Sequence, residues 1–82
     1  MTFEAELLAL GAEIRAERAA QKVSMSDLAA AANISRQALY KYLDAERDMP
    51  VAVLLDIAAR LDVGADVLMR RAEDRARRDS QR

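Results

Sequence analysis

The side chains best suited to chemistry in this sequence lie on one face of a short helical pattern near its middle. At 100° per residue, the polar arc of this helix contains Arg36, Gln37, Tyr40, Lys41 and Asp44. Arginine and glutamine can present paired hydrogen-bonding groups to the edge of a base, and an α-helix fits the major groove of duplex DNA. The pattern predicts a base-reading helix. The alternatives are a solvated helix face and, for the tyrosine, exposed packing.

Two short helices joined by a turn position this face, over residues 24–43. Ser24, with Asp27 three residues later, resembles a capping box and opens helix 2 over residues 25–32. Asn33 suits the left-handed conformation of a tight turn, and Ser35 occupies the N-cap position of helix 3. The inner arc of helix 3 contains Ala38, Leu39, Tyr42 and Leu43.

Three further helical patterns flank these two helices. Thr2 is in the N-cap position of helix 1, which extends to about residue 20, and Pro50 suits the first turn of helix 4 over residues 51–61. Helix 5 begins near residue 65. Val53 and Leu55 fall on the flanks of helix 4, where we expect partial exposure. The apolar stripes predict a core containing Phe3, Leu7, Leu10, Ile14, Leu54, Ile57, Ala58, Leu61, Val67 and Leu68.

Composition favours a single all-α domain. The 82 residues are 52% hydrophobic, with alanines at helical spacing, two glycines and one proline. We expect five helices in a domain over residues 1–69, followed by a charged extension of helix 5 and a tail over residues 70–82. Interleaved acids favour a solvated helix end over a second DNA contact for this Arg-rich extension.

The absence of cysteine and histidine restricts the chemistry further. A disulfide, a thiolate nucleophile, an imidazole base and a zinc site with nitrogen or sulfur ligands are all excluded. We therefore expect no enzyme, no cofactor and no metal. No apolar run is long enough for a membrane span and no signal peptide opens the chain, which predicts a cytoplasmic protein. The formal net charge of −1 counts against DNA binding, because many nucleic-acid-binding domains are basic, but the local charge over the binding face matters more than the sum.

Several spaced motifs together resemble one family. They are Leu28 with Ala29, the NIS sequence at residues 33–35, Leu39, Pro50 and the IAARLDV sequence at residues 57–63. The chain resembles the phage-repressor-type helix-turn-helix family, also called Xre, which includes lambda-type repressors and Cro proteins. The resemblance covers roughly residues 10–68. It implies a five-helix, lambda-repressor-like DNA-binding fold whose helix-turn-helix consists of helices 2 and 3.

The resemblance also implies roles for individual residues. Helix 3 would be the recognition helix, with the base readers Arg36, Gln37, Tyr40 and Lys41. Phosphates would be bound by Ser24, Met25 through its backbone N–H, Ser35 and Arg47. Arg18 commonly pairs with an acid at the end of helix 3 in this family, but Leu43 stands there. We expect Arg18 to pair with Asp44 or Glu46, or to remain solvated.

These observations predict a sequence-specific transcription regulator, a repressor that binds an inverted-repeat operator in double-stranded DNA as a homodimer. Leu55, Val67 and Met69 form the candidate dimer interface, because these apolar groups lie at the start of helix 5 and on the adjoining flank of helix 4, away from the reading face, although Leu55 could equally be buried. An antitoxin or controller-type autoregulator working with a protein partner would look the same in sequence. The alternative from another class is a helical protein-interaction module of the same fold, which the acidic balance favours.

Overall fold

The computed structural model describes residues 3–81, and this part of the chain forms five helices and no strand. Short connections of three to seven residues join them in sequence. The all-α prediction is confirmed. The helices are α1 (Glu4–Gln21), α2 (Met25–Ala31), α3 (Arg36–Leu43), α4 (Val51–Leu61) and α5 (Ala65–Ser80). No helix within residues 3–81 has the length and apolar character needed to cross a membrane.

All five helices contribute to one hydrophobic core, because each presents at least one large aliphatic side chain to the others. The apolar residues expected to face inward on α4 are buried, as are Leu10 and Ile14 of the α1 stripe. The largest side chains that are fully buried are Ile14, Leu28, Leu39, Leu43, Ile57, Leu61 and Leu68. Helices α2 and α3 are too short to be stable alone, so this shared core is what fixes their positions.

Two serines cap the short helices as expected. The Ser24 hydroxyl accepts a hydrogen bond from the backbone N–H of Asp27, and the Ser35 hydroxyl accepts one from Ala38, both at 3.0 Å. Each cap satisfies one N–H group that has no partner inside its helix. The caps therefore determine where α2 and α3 begin.

Each of helices α1 to α4 is followed, within two residues, by a residue in the left-handed conformation that is not glycine. Asn33 was expected in this conformation and adopts it, with φ 56°. Lys22, Ala45 and Asp62 do the same with φ between 54° and 59°. After α3, the N–H of Glu46 donates to the carbonyl of Lys41 at 2.9 Å, which is the six-to-one bond of a Schellman motif.

Several predicted burials are wrong. Phe3 is 61% exposed because it precedes α1 and does not pack into the core. Val67 is 38% exposed because it lies on the outer side of α5, and Leu7 is only half-buried. Val53, by contrast, is buried at 8% exposure and not on an open flank. The proposed N-cap Thr2 lies outside the described residues.

Helix α5 packs along α1 well beyond Met69. Ala72 and Ala76 are buried, so the expectation of a solvated segment holds only for the outer face of α5. Alanine has little apolar surface, so these positions gave no clear apolar signal in the sequence. The same small size lets two helix backbones approach closely. The separation of residues 1–69 from residues 70–82 stays a prediction.

Ion pairs reinforce the same seam between α1 and α5. Arg71 pairs with Glu17 at 3.1 Å, and Arg75 pairs with Glu13. A hydrogen bond from Gln21 and the pairing with Arg71 lower the pKa of Glu17 below its ordinary value. The side-chain amide of Gln21 also donates to the backbone carbonyl of Leu61 at 2.6 Å, which ties the end of α1 to the end of α4.

Candidate nucleic-acid interface

The polar arc of α3 faces solvent. Arg36, Gln37 and Lys41 are exposed and Tyr40 is half-exposed, so their polar groups are available to a ligand. On the opposite side of α3 the core residue Leu39 is completely buried. One face of α3 is therefore anchored in the core, and the opposite face is exposed to solvent.

A close backbone approach fixes the end of α3 against α1. A Cβ atom added to Gly11 would overlap the carbonyl oxygen of Leu43 and lie 2.8 Å from its carbonyl carbon. Only glycine permits this separation without moving one helix. A glycine inside a helix indicates either a weak point or close packing, and at Gly11 the structure shows close packing.

Arg18 does not form either of the ion pairs expected for it. Its guanidinium donates to the backbone carbonyl of Val23 at 2.7 Å, across the turn that ends α1. Asp44 pairs instead with Arg15, at 2.8 Å, because Arg15 lies one turn earlier on α1. The sequence reading missed Arg15. The i,i+3 relation of Arg15 and Arg18 places both near one face of α1 and was the available signal.

The proposed phosphate-binding residues precede or follow α3 in the sequence, and their side chains differ in exposure to solvent. Ser24, Ser35 and Arg47 are exposed, and Met25 is half-buried against the core. Both serine hydroxyls accept a backbone N–H, so each still has its O–H to donate to a phosphate oxygen. Arg36 lies 3.5 Å from the hydroxyl of Ser26, the outer limit of a hydrogen bond, and is only weakly restrained.

Acidic groups lie close to this surface. Asp44, Glu46 and Asp48 follow α3 and are all exposed. The Arg15 guanidinium offsets the charge of Asp44. Arg47 is the one cation among these three acids between the end of α3 and Pro50. The electrostatic attraction of this loop for a polyanion is therefore weak.

The candidate dimer residues lie on α4 and α5, outside the helix that carries the polar arc. Leu55 is 54% and Val67 38% exposed, while Met69 is half-buried and packs against the core. None of the four candidate base readers belongs to these helices. A partner subunit bound there would leave the polar arc of α3 open.

Comparison with known proteins agrees with this architecture. Residues 9–72 match a family described as a helix-turn-helix domain. The fold is similar to the crystal structure of the clp gene regulator ClgR from Corynebacterium glutamicum, with a TM-score of 0.87 and 21% sequence identity over 93% of this chain and 81% of that one. No functionally curated protein shows significant similarity. The likeness to the solved structure shows the fold, and the family match spans most of the chain, which therefore belongs to the helix-turn-helix family, of the Xre and lambda-repressor-like type.

Proposed function

We propose that this protein is a sequence-specific transcription regulator that represses by occupying its operator as a homodimer. The observation that carries the proposal is the polar face of α3, where Arg36, Gln37 and Lys41 are exposed while Leu39 and Leu43 on the other face are buried. A helix anchored in this way can enter the major groove without unfolding the core.

Base reading and backbone binding are assigned to different residues. Arg36 and Gln37 can make paired contacts to a base edge, with Tyr40 and Lys41 extending the contact along the groove. Ser24, Met25 through its backbone N–H, Ser35 and Arg47 would contact phosphates, which fix the register of the helix but carry no sequence information.

We propose a dimer because the DNA affinity of a single copy would be low. One helix with a few base contacts, beside the exposed acids Glu46 and Asp48, has little affinity beyond non-specific binding. Two linked copies raise the effective concentration of the second reading helix. We propose that Leu55, Val67 and Met69 join the subunits, so that two α3 helices read half-sites about 34–36 Å apart.

Selection of bound sites from random duplex DNA, followed by titration of variants, tests the proposal. The selected consensus should be an inverted repeat. Arg36→Ala or Gln37→Ala should cost about 1–3 kcal/mol on that site and relax preference at one position. Arg47→Ala should weaken all sequences alike and lower the salt slope by about one. Arg78→Ala is the matched control, because it removes an exposed arginine at the end of α5.

Two results would contradict the proposal. Equal losses on specific and random DNA for Arg36→Ala would remove the base-reading role. Sedimentation that shows one chain bound per high-affinity site would exclude the dimer. Acidic substitution of Leu55 or Val67 should lower affinity without altering the consensus, since both lie on α4 and α5, away from α3.

The acids after α3 favour a second candidate function. Asp44, Glu46 and Asp48 give this loop the wrong charge for a polyanion, as in a helical interaction module that binds protein and not DNA. An antitoxin or controller protein would combine both activities. Binding of the full chain to duplex DNA that falls steeply with added salt would support the regulator, and its absence would favour the interaction module.

A further inference from the structure

An apolar groove lies between the start of α1, the start of α4 and the middle of α5. It encloses about 350 Å³ and is separate from the polar arc of α3. Its lining includes Phe3, Leu7, Met49, Val51 and Met69. A volume of this size accommodates one or two bulky side chains of a bound segment.

The groove is open to solvent in the described chain. Phe3 is 61% and Val51 71% exposed, although both are large apolar residues that would lose contact with water if the groove were filled. Met49 and Met69 add flexible side chains, which adapt their shape to an incoming group. Uncovered apolar surface of this kind, next to polar groups, is typical of an interaction site.

Two carboxylates give the groove a negative charge. Glu6 and Glu73 contribute to its lining, and neither forms an ion pair within residues 3–81. Arg77 lines an adjacent cavity together with both glutamates, but its guanidinium pairs with Asp74 at 2.9 Å. The two charges therefore remain available to a cationic ligand.

The chemistry of the groove argues against a second copy of this chain as its occupant. Two-fold pairing across the groove would place Glu6 and Glu73 of both copies close together, where like charges repel. The basic part of the chain, residues 70–82, has only alanines as apolar side chains and could not fill the groove. The occupant must supply both a bulky apolar group and positive charge.

We propose that this groove binds a segment of a second protein that carries a bulky apolar side chain flanked by Lys or Arg. The apolar group would enter between Phe3, Leu7 and Val51, and the cations would meet Glu6 and Glu73. This is the usual arrangement for a helix bound in a groove, with apolar anchors one turn apart and charges at the rim. Because no residue of the polar arc lines the groove, the partner can bind while α3 is bound to DNA.

The test is selection from a displayed library of random peptides of about 14 residues, the length of an ordinary helix, on the immobilised full chain. We expect a consensus with Lys or Arg within one turn of a bulky apolar residue. The consensus peptide is then synthesised with a fluorescent label and titrated with the protein and its variants. Val51→Asp should weaken binding at least tenfold, and Glu6→Gln and Glu73→Gln should weaken it only at low salt, where charge attraction is unscreened.

Matched controls separate the groove from general surface effects. Leu8 is 47% exposed on α1 but does not line the groove, and Glu4 is an exposed acid one turn from the groove. Leu8→Asp and Glu4→Gln should leave peptide binding unchanged. Thermal melts and DNA titrations of every variant verify that the fold and the proposed DNA binding persist independently of the groove.

Any of four outcomes would overturn the proposal. They are recovery of no consensus, a consensus without basic residues, equal weakening by Leu8→Asp and Val51→Asp, and conversion of a dimer to a monomer by Val51→Asp. The last result would identify a second copy of this chain as the occupant. Loss of peptide binding with DNA binding intact in Val51→Asp supports the groove alone.

Discussion

Replacing Gly11 by alanine gives the clearest test of how α3 is positioned. Glycine inside a helix costs about 1 kcal/mol relative to alanine, so by intrinsic propensity Gly11→Ala would stabilise the protein. The structure predicts the opposite. The added Cβ would overlap the carbonyl oxygen of Leu43 and lie 2.8 and 3.0 Å from its carbonyl carbon and Cα. These are backbone atoms that cannot rotate away.

The magnitude follows from the separation that α1 and α3 would need. Carbon atoms in contact are about 3.5–4.0 Å apart, so the helices must separate by roughly 1 Å, and such a gap forfeits a quarter to a half of each contact energy across it. Overpacking of this kind costs about 1–3 kcal/mol, at the upper end when backbone must move. After the gain in propensity, we expect a net loss of about 1–2 kcal/mol.

Thermal and urea unfolding followed by circular dichroism measures the loss. For a domain of this length, 1–2 kcal/mol lowers the midpoint by roughly 5–15 °C. Ala16→Gly is the matched control, because Ala16 is exposed in the same helix and its replacement reports propensity alone, at a cost of about 1 kcal/mol. A Gly11→Ala protein that is more stable than the parent would refute the close approach.

Three further predictions concern the helix ends and the α1 side chains. Ala45→Gly should raise the free energy of unfolding by up to about 1 kcal/mol in urea titrations, because φ is 58° there and a Cβ is unfavourable. Glu17→Gln should destabilise the protein above the ordinary pKa of the carboxyl group. Since the hydrogen bond from Gln21 lowers that pKa in the fold, the difference from the parent should shrink as pH falls through the folded value, as paired melts would show. Arg18→Ala should lower the free energy of unfolding by about 2 kcal/mol, because Arg18 donates to a part-buried backbone carbonyl. Arg15→Ala should lower it by less than about 1 kcal/mol, because Arg15 forms an exposed ion pair. Equal costs would contradict this.

The helices themselves were predictable because local signals agreed with one another. Ser24 and Ser35 marked the starts of α2 and α3, and Asn33 marked the turn between them. Helix 4 was predicted over the residues it occupies. Where a polar capping group preceded an apolar period, sequence and structure coincide, since both effects act within a few residues.

Features that depend on contact between distant helices were not predictable from local patterns. Lys22, Ala45 and Asp62 end their helices in a left-handed conformation without the glycine or asparagine that would announce it. Ala72 and Ala76 are buried only because α1 passes beside them. A helical periodicity shows which face is apolar but not which neighbour covers it.

The candidate site divides in the same way. The exposure of Arg36 and Gln37 follows from the period of α3 alone, and the structure places both in solvent. Their contacts to bases stay a prediction, as do the phosphate and dimer assignments. The ion pair of Arg15 with Asp44 joins groups 29 residues apart and depends on how α1 crosses α3.

The seam between α1 and α5 has a consequence for the order of events during synthesis. The paired groups Glu13 and Arg75 are 62 residues apart, so α1 is made long before the helix that covers it. At about 5–20 residues per second, roughly 3–12 s pass between them on the ribosome. Helix α3 is synthesised within that interval, before Arg75 is made, while α1 still lacks the helix that covers it. We therefore expect the nascent chain to fix the polar arc of α3 in place in one late step, after α5 has emerged.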